Sequence, residues 1–98
     1  MEKPVTERAW VGRLWRLIAE ALTDEELGSW TIECGIVDNP HVRRTVRVSV
    51  HYKVGSLLVM GERMFSIQAM ESNRYGWKDW ANPMLAEMVG ELREKGLR

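Results

Sequence analysis

TVRVSVHYKV, residues 45–54, alternates without a break. Val46, Val48, Val50, Tyr52 and Val54 fall on one side, and Thr45, Arg47, Ser49, His51 and Lys53 on the other. Successive strand side chains point to opposite faces, so this is a long strand with one buried and one wet face. Gly55-Ser56 breaks it. Upstream, Trp30 to Val37 alternates too, with Trp30, Ile32, Cys34 and Ile36 on one side and Thr31, Glu33 and Gly35 on the other. Asp38-Asn39-Pro40 reads as the turn between the two strands. Downstream, Leu57 to Met60 and Met64 to Ala69 read as two short strands joined by a Gly61-Glu62 turn, or as one bent strand; the first reading is preferred because glycine punctuates strands.

Helices flank these strands. Thr6 is placed to cap a helix over Glu7 to Leu22. On a wheel of about 100° per residue, its apolar residues from Trp10 to Leu22 cover an arc of roughly 160°, with Trp15 at the edge. Thr23-Asp24-Glu25-Glu26 is a capping box for a short second turn that Gly28 can end. Trp77 to Trp80 reads as one helical turn, and Asn82-Pro83 as the cap and first position of a last helix. Met84, Leu85, Met88, Val89 and Leu92 line that helix, and Gly96 stops it. The expected fold is α+β, a two-layer sandwich in the order helix, three or four antiparallel strands, helix, with both helices on one face of the sheet. A chain of 98 residues forms one domain, 1–98.

Composition narrows the function classes. Lys plus Arg equals Asp plus Glu, 14 against 14, so no global field draws in nucleic acid or anionic membrane. Cys34 stands alone, which fits a reducing, cytoplasmic setting. Residues 1–6 are polar and no apolar stretch approaches the roughly 20 residues that span a bilayer, so neither a signal peptide nor a membrane segment is expected. His41, His51 and Cys34 are the strongest metal ligands, at no ligand spacing, and no metal or cofactor is expected. By strand parity Cys34 and His51 point to opposite faces, so they cannot work as nucleophile and base, and the chain reads as non-enzymatic.

Two surfaces remain. Arg43, Arg47, His51 and Lys53 share parity on the open sheet face and can track phosphates, with Arg74 and Tyr75 adding a stacking surface. Five Trp and six Met in so short a chain, with a helix face wider than a core requires, point instead to protein contact. Trp10, Trp15, Trp77 and Trp80 are candidate anchors, and Ala86 and Gly90 a small-residue pair where a partner approaches closely. Protein interaction or self-association is the leading reading, as in a small assembly or accessory protein of a bacterium or phage. Nucleic-acid binding is the alternative.

WTIECGIVDNPHVRRTVRVSV, residues 30–50, resembles the first hairpin of a double-stranded RNA-binding domain, with Asn39-Pro40-His41 in the place of that family's Pro-His loop. The resemblance implies helix, three strands, helix, and RNA as the partner. The family's Lys-rich start to the last helix is not matched: Trp77 to Pro83 carries one Lys and one Asp. The segment before that helix is also longer than the family's. The family is not assigned.

Overall fold

The computed structural model describes residues 5–39 and 42–96, with side chains at 5–38 and 44–96. The elements are α1 (Glu7–Ala21), α2 (Asp24–Ser29), β1 (Thr31–Asn39), β2 (Val42–Val54), β3 (Leu57–Ser66), α3 (Ile67–Ser72) and α4 (Trp77–Gly96). The strands form an antiparallel sheet in the order β1-β2-β3. Pro40 and His41 of the expected turn lie outside the described residues.

Local signals place the helix starts. The Thr6 hydroxyl accepts the Ala9 N–H, and Thr23 and Glu26 close a reciprocal capping box. Each satisfies N–H groups that a helix start leaves without partners. The hairpin turn at Gly55 takes φ +61°, a conformation that glycine adopts without steric cost.

The core lies between helices and sheet. Val46, Val48 and Val50 are fully buried with Trp10, Leu14 and Ile18 of α1, Met70 of α3, and Leu85, Met88 and Leu92 of α4. The expected α+β sandwich, with helices on one face of the sheet, is what the chain forms. Val54 departs from expectation: at the end of β2, next to the Gly55 turn, it is exposed.

Two boundaries differ from the sequence reading. Residues 57–66 form one strand, paired to β2 from Val54↔Leu57 to Thr45↔Ser66. Gly61 is no turn. It pairs with Val50 under α4, where a β carbon would stand 2.9 Å from Cγ of Met88. The residues beyond Ser66 enter α3, capped by the Ser66 hydroxyl on the Ala69 N–H, instead of continuing the strand. Pro83 sits inside α4 and does not start it. It is exposed and close to the N-terminus, so the Asp79 carbonyl that loses its helical donor can turn to water.

Candidate interaction surface

The face of the sheet turned away from the helices is built by strand parity. The register sets it out in rows across the strands. Val37, Thr45 and Ser66 form one, then Gly35, Arg47 and Met64, then Glu33, Ser49 and Glu62, then Thr31, His51 and Met60, and last Lys53 and Leu58. Arg47, His51 and Lys53 share this face, as expected. Arg43 belongs to β2, but its side chain lies outside the described residues.

The face is not a plain cationic track. Glu33 and Glu62 stand on either side of Ser49, between Arg47 and the His51–Lys53 end. Ser49 is only 6% exposed although no helix covers it, because longer neighbours stand around it. The His51 Nδ1 is buried without a hydrogen-bond partner among the described residues.

Apolar side chains gather beside these charges. Nine large apolar residues are exposed among the described residues, and five of them lie on the β2–β3 hairpin: Val54, Leu57, Leu58, Met60 and Met64. Leu58, Met60 and Met64 have the parity opposite to buried Val59 and Phe65, so they line the open face. The sequence reading missed them because it cut β3 at Gly61. Read as one strand, even-numbered residues from Leu58 to Ser66 form one column.

The six interface residues expected from sequence divide. Trp10 is fully buried, edge-on to buried Trp77 with ring centroids 5.3 Å apart, so neither offers an anchor at the surface. Trp10 donates from Nε1 to Glu71 Oε1 at 2.8 Å, and the Arg13 guanidinium lies 4.9 Å over its ring. Trp15 is 47% exposed on α1. Trp80 is partly exposed and meets Phe65 edge-on. Ala86 and Gly90 are exposed on α4. The six are therefore divided between the core and the surface.

Arg74 and Tyr75 lie in the turn between α3 and α4. Arg74 is ion-paired with Glu71 at 2.7 Å, and this guanidinium, followed by the Trp10 N–H, holds the Glu71 carboxyl below its ordinary range. Tyr75 is 85% exposed. Arg63, of core-face parity, turns out to pair with Glu91 at 3.2 Å.

A cleft of about 250 Å³ runs between α1 and α4, lined by Arg13, Arg16, Leu17, Glu20, Trp77 and Lys78. Cys34 is half-buried, pairs with Val48 and keeps core-face parity, whereas His51 lies on the other face, so the sheet separates them. Burial pushes the Cys34 thiol up to about 11. Among the described residues no group of three or more His, Cys, Asp or Glu is placed to hold a metal, and no helix is long and apolar enough to cross a membrane. Comparison of the chain with protein-family models, with curated proteins and with solved structures yields no match.

Proposed function

We propose that this chain is a small non-enzymatic protein-interaction module whose working surface is the open face of the sheet. The observation that carries the reading is the apolar column Leu58, Met60 and Met64, exposed beside Arg47, His51 and Lys53. Leu58, Met60 and Met64 share one exposed face, with Glu62 standing between the two methionines. Exposed apolar side chains gathered on one face of a small protein mark contact sites, and methionine adapts to the shape of a partner. Arginine beside such a patch is a common interface composition. The lone free Cys34 fits a reducing cytoplasmic setting.

Nucleic acid fits this face less well. Glu33 and Glu62 interrupt the cations where a phosphate backbone would have to pass.

The test compares the parent with Met60→Asp/Met64→Asp, each isolated gently from the cells that make it, by size exclusion with light scattering and absorbance at two wavelengths. The reading expects the parent to elute in a protein complex, with itself or with another chain. The variant should elute as a folded monomer with an unchanged circular dichroism spectrum. A parent that elutes as a bare monomer, or with nucleic acid that Arg47→Glu removes, overturns it.

A further inference from the structure

The charges on the open face are ordered. The Glu33–Ser49–Glu62 row is acidic, and it is flanked along β2 by Arg47 on one side and by His51 and Lys53 on the other. Counting Arg47 and Lys53 against Glu33 and Glu62, the described part of the face balances, and the whole chain has formal net charge +0. Two copies therefore feel no long-range repulsion. A surface with neighbouring rows of opposite sign complements itself when one copy is shifted by a single row.

We propose that two copies of this chain pack open face to open face about a two-fold axis crossing β2 at Val48. This deepens the interaction reading above and rests on it. The axis lies between the sheets and perpendicular to the strands, so β2 runs antiparallel over β2 and β3 over β3. The Arg47 row of each copy then lies over the acidic row of the other. Arg47 stands between Glu33 and Glu62 of the second copy, and a guanidinium can pair with either carboxylate. Met60 and Met64 are covered by the same event. Sheets stack at this kind of aligned angle, and a two-fold contact uses the same patch twice.

The area is that of a small, weakly associating interface. Three strands about 4.8 Å apart, each about nine residues long, give a face of roughly 14 by 30 Å in projection. With side-chain relief, two such faces approach the roughly 1,200 Å² at the low end of stable interfaces.

The experiment is a charge swap read by sedimentation equilibrium. The parent should dimerise. Arg47→Glu alone, and Glu33→Arg/Glu62→Arg alone, should each weaken association by about tenfold or more, since they place like charges together. Mixed in equal amounts, the two variants should form a heterodimer, because Glu at 47 of one chain then meets Arg at 33 and 62 of the other. Circular dichroism and thermal melts confirm that each variant is folded. A parent that stays monomeric at its highest soluble concentration overturns the self-pairing, while the interaction reading is decided by the Met60/Met64 comparison. Variants that dimerise as well as the parent, or that fail to pair when mixed, also overturn it and leave pairing through the β3 edge as the explanation of any dimer.

Discussion

The ring of Trp30 lies flat on the ring of Tyr52, with centroids 4.5 Å apart and planes 3° from parallel. Trp30 closes α2, and Tyr52 continues the β1–β2 register one step beyond Thr31↔His51. The Tyr52 hydroxyl donates to the Leu92 carbonyl of α4. One side chain thus joins the end of α2, the sheet and the last helix. Tyr52→Phe keeps the stack and loses the hydrogen bond. It should cost about 0.5–1.5 kcal/mol in urea unfolding. Tyr52→Ala, which also removes the stack, should cost clearly more.

Two glycines should respond oppositely to a methyl group. At Gly61 a β carbon would meet Cγ of Met88 at 2.9 Å and Leu92 at 3.3 Å. Gly61→Val should therefore destabilise by about 1–3 kcal/mol, as overpacking does, with Gly61→Ala milder because Met88 can swing. At Gly12, within α1, nothing lies within 4 Å of the added carbon. Gly12→Ala should raise stability by about 0.5–1 kcal/mol through helix propensity. Chemical denaturation of the three variants gives the comparison.

Trp10 and Trp15 lie on one helix and should differ sharply. Trp10→Ala empties the core and strips Glu71 of a donor, so a loss of about 3–5 kcal/mol is expected. Trp15→Ala, at a site 47% exposed, should stay within about 1 kcal/mol of the parent. A large loss at Trp15 in thermal melts would mean that the half of its ring that is covered matters more than its exposure implies.

Acid should weaken the tie between the two ends of the helical layer. Arg93 of α4 grips Glu26 of α2 with two hydrogen bonds of 2.7 and 2.8 Å and also reaches the Ala21 carbonyl at 3.3 Å. That guanidinium, with the Thr23 N–H and hydroxyl assisting against partial burial, lowers the Glu26 carboxyl to about 2. The folded value lies below the unfolded one, so the contribution is fully present above about pH 4.5 and is lost as pH falls towards 2. Arg93 is 45% exposed, which limits the effect to the order of 1 kcal/mol. Glu26→Gln should lower the melting temperature at pH 7 and flatten its fall between pH 4.5 and 2.

The alternation of residues 45–54 was enough to place the sheet, its two faces and the helical layer, because a one-residue slip would bury Arg47 in place of Val48. Thr6 and the Thr23–Glu26 box likewise reveal helix starts through local chemistry. Gly61 and Pro83 misled for a common reason. Glycine and proline punctuate chains by local rules, but Gly61 is a glycine because α4 presses on it, and Pro83 is tolerated because it faces water. The open face was half legible. Parity placed Arg47, His51 and Lys53 there, but the apolar column of β3 depended on a strand that local rules divided. Trp10 and Trp77 could not be told from surface anchors, since composition does not show which tryptophan finds a partner inside.

The strand order β1-β2-β3 has a kinetic consequence. Each strand pairs with its neighbour along the chain, so both hairpins close over short loops and can form early. The contact between α1 and α4 joins the two ends of the chain and carries a much larger loop-closure cost. Assembly should therefore run from the middle outward, with the meander as the nucleus and the docking of α1 beside α4 as the late step. Unfolding would start where folding ends, at the seam between the two long helices.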